Sequence, residues 1–286
     1  MSENLHPRAD ELDDLSAFDF VELMHSEDVD AVNSVRAQLR QIAHAVDAVA
    51  ARLREGGRLH YFGAGTSGLI AELDAAECPV TFGVPPDRVQ AHAVEDAQED
   101  DRELGAQTAS RLALGADDVV VGISASGRTP FVLGAMERAS EDGALRLAIT
   151  CNPGSPLGRT ADIAIEVEKG PEVIAGSTRL KAGTVQKLIL NMLSTAVFTQ
   201  LAYTHRGRMV GVVASNDKQR ARAAGVVADL GGVSREAAAG ALEAAGGNVK
   251  VAIVMLTRGM TADEARKRLE AAAGDLKAVV EEARRA

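Results

Sequence analysis

Aromatic residues are scarce in this chain: they make up 3% of its 286 positions, and tryptophan is absent. Surfaces that bind single-stranded nucleic acid by stacking are therefore not expected. Positive charge is also short, with 31 Lys and Arg against 41 Asp and Glu, a formal net charge of −10. A duplex-binding protein needs a basic face, so nucleic acid is excluded as the expected partner. Only two cysteines occur, Cys78 and Cys151, too few for a disulfide scaffold and without metal-ligand spacing. Neither sits in a motif with a histidine base, so both read as buried packing residues of a protein in a reducing compartment. No apolar run approaches the ~20 residues of a membrane span. The opening MSENLHPRADELDDLSAFDF lacks the charged-then-apolar pattern of a signal peptide. A cytoplasmic protein is expected. The six histidines show no zinc-type spacing and no Walker loop is present, so neither a metal nor another cofactor is expected.

What remains is a globular composition, 46% hydrophobic and 25% charged. The length suits one α/β domain with a smaller appendage. The first twenty residues are acidic and weakly periodic, an arm either mobile or laid against a partner subunit. From Val21 to Arg54, Val32, Val35, Leu39, Ile42, Val46 and Val49 recur at helical spacing. Arg58 to Phe62 forms an apolar run that enters GAGTSG (Gly63 to Gly68), followed by the helix-like LIAELDAAE and a stop at Pro79. The pattern repeats: a strand-like Asp118 to Ile123, then SASGRT (Ser124 to Thr129), then Pro130 opening a helix at its first position. Leu145 to Thr150 and Ile163 to Val167 are further strands, and Lys181 to Phe198 is a long buried helix. After a last strand, Met209 to Val213, helix starts at Ser234, Asn248 and Thr261 mark a helical tail; Thr261 with Glu264 forms a capping box. The expected fold is α/β, a doubly wound, mostly parallel sheet flanked by helices. Expected boundaries are a helical arm over 1–50, the α/β domain over 51–214 and a small helical domain over 215–286.

Two loops carry the chemistry. The glycines at 63, 65 and 68 superficially match a dinucleotide fingerprint, but no acidic residue follows on a second strand at the expected distance. In SASGRT, Ser124, Ser126 and Thr129 offer three hydroxyls, Gly127 permits close backbone approach, and a helix starts at once. Exposed N–H groups and the positive helix end favour a phosphate there. The plainer alternative is that Ser126 and Thr129 only cap that helix. Both loops would lie outside the carboxyl ends of strands, where open α/β sheets bind ligands.

The segments GAGTSG, LDAAECPVTFGV, VVGISASGRTPFVLGA, TCNPGSPL and GPEVIAGSTRLKAGTVQKLILNMLST together resemble N-acetylmuramic acid 6-phosphate etherases. The resemblance runs from about Gly57 to Asn216 and on through the helical tail. It implies a sugar isomerase (SIS) type domain that hydrolytically removes D-lactate from N-acetylmuramic acid 6-phosphate, in recycling of cell-wall sugars, with no metal or redox cofactor. It also implies a homodimer. An ether resists direct attack, so the expected route opens the sugar, removes the proton beside the aldehyde, expels lactate and adds water. That route needs an acid and a base. By match to the family motif, Glu77 in AAECP is the expected proton donor and Glu99 the second catalytic carboxylate, with Glu95 and Glu103 as competitors. Gly65, Thr66, Ser67, Ser124, Ser126, Gly127, Thr129, Glu172, Ser177 and Lys181 are the substrate-binding candidates. Alternative readings are a strand-end acid for Glu172, an ordinary helix-start lysine for Lys181, and caps for Ser177 and Thr178. A straight helix carries Glu77 ~15 Å from the first glycine loop, which suits a site shared with a neighbouring subunit. His205 is expected at the surface. Two departures stand out: Leu69 occupies the place where the family usually has Arg, and the stretch from Asp87 to Glu99 is compressed. A sugar-phosphate sensor or an aldose–ketose isomerase on the same fold remain open as alternatives. The tail serves as a dimerisation element or as a cap over the site.

Overall fold

The computed structural model describes residues 4–212 and 217–281. Two compact units emerge, one built from Met1–Ala76 with Asp87–Thr195, the other from Glu77–Pro86 with Ala196–Ala286.

In the first unit a 3-10 turn over Ala9–Asp14 leads to helix α1 (Ala17–Ser34), whose N-cap Ser16 accepts from the Asp19 amide. The N-terminal segment is not a free arm from residue 4 on. His6 is buried and its Nε2 lies 3.1 Å from Glu27 on α1. A 3-10 turn over Val35–Gln38 interrupts the expected continuous helix before α2 (Leu39–Arg54). The α2 stripe of Ile42, Val46, Val49 and Leu53 is buried, as its spacing requires.

Five parallel strands follow: β1 (Leu59–Ala64), β2 (Val89–Val94), β3 (Val119–Ser124), β4 (Leu145–Thr150) and β5 (Ile163–Glu166), in the order β2-β1-β3-β4-β5. β1 and β3 start one residue later than the apolar runs suggested. Arg58 and Asp118 are spent on a clamp: Asp118 Oδ1 accepts from the Arg58 amide at 2.8 Å, and Oδ2 from Nη2 at 2.8 Å. The clamp sets the register of the two strands, Leu59 opposite Val119.

β2 was hidden in the compressed stretch. It is an edge strand, only half-buried past Val89, and its VQAHAV carries little of the β-branched density that marks a buried strand. Between strands run α3 (Gly65–Phe82), α4 (Arg102–Ser110), α5 (Pro130–Glu141) and α6 (Pro156–Thr160). α3 continues through Pro79 to Phe82 rather than stopping. With three residues left in the helix, the missing proline N–H costs one hydrogen bond near its end.

Phe62, Val120 and Ala148 point to one face of the sheet, where Phe131, Val132 and Met136 of α5, Ala109 and Leu157 complete a core. Tyr61 points to the other face. Its hydroxyl donates to Asp74 of α3 at 3.0 Å, and Ser194 of α7 (Lys181–Gln200) donates to the second oxygen of Asp74 at 3.1 Å. A buried carboxylate is tolerable there because its oxygens accept hydrogen bonds and Lys187 lies 3.9 Å away.

The second unit contains the ends of α3 and α7, a two-stranded hairpin of β6 (Thr204–His205) and β7 (Arg208–Met209), and five helices: α8 (Asp217–Gly231), α9 (Arg235–Ala244), α10 (Val249–Arg258), α11 (Ala262–Ala271) and α12 (Leu276–Glu281). The strand expected over 209–213 is reduced to β7, and Val213 lies outside the described residues. Ser234 and Asn248 cap α9 and α10, and Thr261 with Glu264 forms the capping box. Val227, Leu242, Val249, Val251, Val254 and Leu269 are among the residues of its core. His205 is buried here rather than exposed.

Candidate active site

The sheet order places β1 and β3 side by side with their crossovers leaving in opposite directions, β1 to the β2 edge and β3 to β4. Such a switch point opens a crevice at the carboxyl ends of the two strands. Both motif loops stand there. β1 passes straight into α3 with no intervening turn, Ala64 being the last strand residue and Gly65 the first of the helix. Gly65 makes this possible: its φ is +51°, and a Cβ would lie 2.5 Å from Asp96 Oδ1.

A cavity of about 460 Å³ occupies the crevice. Ala64 to Ser67 come from the first loop, Ser124 to Ser126 and Thr129 from the second, Gly176 to Arg179 from the approach to α7, and Asp96 and Glu99 from the segment after β2. Eight of the twelve expected site residues thus meet in one place: Gly65, Thr66, Ser67, Glu99, Ser124, Ser126, Thr129 and Ser177. Gly127, within the second loop, does not line the cavity. Its φ is +66° and a Cβ would fall 2.2 Å from Ser155 Oγ, so no side chain fits.

The hydroxyls are not consumed by helix capping. Thr129 occupies the N-cap of α5 but makes no side-chain cap bond; its Oγ1 lies 2.8 Å from Ser124 Oγ. Ser124 Oγ accepts from the Gly127 amide at 3.0 Å, and Ser126 Oγ from the Arg128 amide at 3.2 Å. The α5 end therefore presents its positive pole to the cavity with hydroxyls around it. Ser67 is buried, and its hydroxyl donates to Gln186 Oε1 at 3.0 Å.

Glu99 is the one member of the trio Glu95, Glu99 and Glu103 that lines this cavity. Its carbonyl accepts from the Phe131 amide at 2.9 Å, which fixes its backbone to the start of α5. Burial first, then the like charges of Asp100 and Asp96, raise its pKa above the ordinary carboxylate value. Glu95 lines an adjoining cavity of about 680 Å³ together with Leu69 and Glu72, and Glu103 is exposed on α4, bonded to Gln107.

Glu172 and Lys181 do not line the cavity. Glu172 is fully buried; its two oxygens accept from the amides of Lys181 at 2.9 Å and Ala182 at 3.0 Å, and Lys169 Nζ lies 2.9 Å from Oε1. It caps α7. Lys181 is buried against Glu27, which also meets His6. Glu77 is exposed on α3, twelve residues or about 18 Å of helical rise beyond Gly65, and is not among the lining residues. Cys151 is buried, its thiol pushed up to about 12, and Cys78 is buried as well, as packing residues should be. Among the described residues, no group of three or more His, Cys, Asp or Glu side chains stands in a metal-holding arrangement. Asp96 and Arg179 escaped the sequence reading, because each is an isolated charge until topology brings three loops together.

This is the fold of SIS-type sugar-phosphate proteins. The SIS domain matches residues 97–196, and the second SIS domain of glucokinase regulatory protein matches residues 36–127. A phosphoheptose isomerase from Neisseria gonorrhoeae superposes with a TM-score of 0.51 over 64% of this chain and all of its own, at 21% identity. More specifically, the chain belongs to the N-acetylmuramic acid 6-phosphate etherase family. It is 48% identical to the N-acetylmuramic acid 6-phosphate etherase of Rubrobacter xylanophilus, over all of this chain and 97% of the relative. It is 45% identical to that of Mycolicibacterium smegmatis, over 98% and 97%.

Proposed function

We propose that the protein cleaves the D-lactyl ether of N-acetylmuramic acid 6-phosphate with water, giving N-acetylglucosamine 6-phosphate and D-lactate. The observation that carries this reading is a single cavity at the strand ends that gathers the Ser and Thr hydroxyls of both motif loops with Glu99, a carboxylate held above its ordinary pKa. The open-chain sugar has an aldehyde at C1. A base removes the C2 proton, the C3–O bond breaks, and the departing lactate oxygen takes a proton. Water then adds across the new double bond, its oxygen to C3 and a proton to C2. Glu77, by its place in the AAECP motif, is the proton donor, and Glu99 the second carboxylate. A raised pKa suits Glu99, because a carboxylate closer to neutrality is a stronger base when ionised and a usable acid when protonated.

The reading extends to a cytoplasmic homodimer that binds no nucleic acid. Among the described residues no helix is long and apolar enough to cross a membrane. The dimer is supported by α1, which buries Leu23 and Ala31 yet exposes Phe18, Val21, Val29 and Val32. At 100° per residue these four fall within about 80° of arc on the opposite side, a second apolar face that suits a second copy.

Incubating the purified protein with N-acetylmuramic acid 6-phosphate and assaying D-lactate tests the activity, with Glu77→Ala as control. Lactate from the wild type alone is expected. Tight sugar-phosphate binding without lactate would instead support a sensor, the second reading favoured by the match to a glucokinase regulatory domain. A ketose product would identify an isomerase.

A further inference from the structure

The cavity contains one cationic side chain among its described lining residues, and the function just proposed has not used it. Arg179 forms no hydrogen bond or ion pair among the described residues, whereas the two buried lysines of the neighbouring segments are committed. Lys169 is held by Glu172 and Lys181 by Glu27. Elsewhere in the unit, Arg58 is clamped by Asp118 and Arg102 pairs with Glu137.

The substrate of the proposed reaction bears two anions on opposite parts of the sugar, the phosphate on C6 and the lactyl carboxylate on C3. The cavity offers two different kinds of partner. One is neutral: the amides and hydroxyls around Gly65, Thr66, Ser124, Ser126 and Thr129, a setting that holds phosphate without a cation. The other is the Arg179 guanidinium, brought in by a separate loop. A carboxylate entering this cavity also meets Asp96 and Glu99, whose like charges repel it. It needs a cation to be held there, and a planar guanidinium matches it with two parallel hydrogen bonds.

We propose that Arg179 binds the carboxylate of the lactyl group and thereby determines specificity for the ether over the same sugar phosphate without it. The inference rests on the etherase reading for the identity of the substituent. Holding the carboxylate also orients the C3–O bond that must break, because only two bonds separate the carboxylate carbon from the ether oxygen. The buried pairs behind the loop have a positioning role: Glu172 fixes the start of α7, and the loop that carries Arg179 into the cavity is anchored by it.

The test is a titration of the Glu99→Gln protein, whose lowered turnover lets binding be read before conversion, with N-acetylmuramic acid 6-phosphate and with N-acetylglucosamine 6-phosphate, with and without Arg179→Met. The added substitution should weaken the lactyl sugar about tenfold to a hundredfold. It should leave the sugar without lactate within about twofold. Arg179→Lys should restore part of the preference, since charge returns without the planar fork. Equal weakening of both sugars by Arg179→Met, in a protein whose thermal unfolding is unchanged, would assign Arg179 to the phosphate and overturn the proposal. Unchanged affinity for the lactyl sugar would overturn it too. If the wild type released no lactate, the function would fall, while the ratio of the two affinities would still decide the role of Arg179.

Discussion

Glu99 and Cys151 show how the same physical cause, burial, leads to different ends. The thiol of Cys151, pushed up to about 12, stays protonated and inert at neutral pH. The carboxyl of Glu99 is raised by burial first and then by Asp100 and Asp96, and it faces a cavity. Folding shifts its balance toward the protonated form. Its contribution to stability is therefore present below the unfolded pKa and is lost as pH rises through the folded one. That cost is consistent with a group kept for chemistry. Replacing it as Glu99→Gln should lower kcat/KM by about 10²- to 10⁴-fold while leaving sugar-phosphate binding in place. Asp100→Asn removes one of the like charges, so the Glu99 pKa should fall and the acid limb of the kcat/KM profile should move to lower pH. A profile unmoved by Asp100→Asn would show that Glu99 does not set that limb.

Between β1 and β2 lies a second titrating element. His60 is fully buried, with Nδ1 3.2 Å from His92 Nε2 and the rings stacked at 5.4 Å. Burial pushes both pKa values down to about 4, and for His60 the His92 and Arg58 charges add to the effect. Both rings are neutral in the fold at neutral pH. As pH falls below about 6.5, the unfolded chain takes up protons that the folded chain refuses, so stability present above that value is lost progressively toward pH ~4. The melting temperature should drop between about pH 7 and pH 5, and the double substitution His60→Gln with His92→Gln should flatten the drop. Equal slopes for the two proteins would show that the pair is not its source. This element also marks the limit of legibility. β3, α5 and α7 could be read because each is an unbroken apolar run or stripe with a clear start. β2 could not, since an edge strand shielded on one side alternates small and polar residues, and VQAHAV looks like a loop. Without β2, the approach of Asp96 and Glu99 to the strand ends had no geometry. The glycine and serine loops were legible from their residues alone, whereas Asp96 and Arg179 gained meaning only from the sheet order. Glu172 and Lys181 were recognised as special, and the structure gives each an ion-pair partner outside the cavity.

At the scale of the whole molecule, the role proposed for Glu77 requires that it reach a cavity it does not line. It is exposed on α3, about 18 Å of helix beyond Gly65, while Glu99 stands in the cavity. In a two-fold dimer a contact of residue i on one copy with residue j on the other is repeated in reverse, so a carboxylate exposed near the interface can complete the cavity of the other copy, and both cavities are completed alike. If the sites are shared in this way, two inactive proteins can complement each other. Mixing Glu77→Ala with Glu99→Gln under conditions of subunit exchange makes half the dimers mixed. In each mixed dimer one site pairs the intact Glu99 of one copy with the intact Glu77 of the other. Lactate release should then recover to about a quarter of the wild-type rate. Self-contained sites would give no recovery, because every cavity would lack one of its two carboxylates. A Phe18→Glu, Val21→Glu variant sharpens the outcome: by charging the exposed face of α1 it should yield a monomer in light scattering. A monomer with full activity would exclude sharing even if the mixing experiment failed for want of exchange.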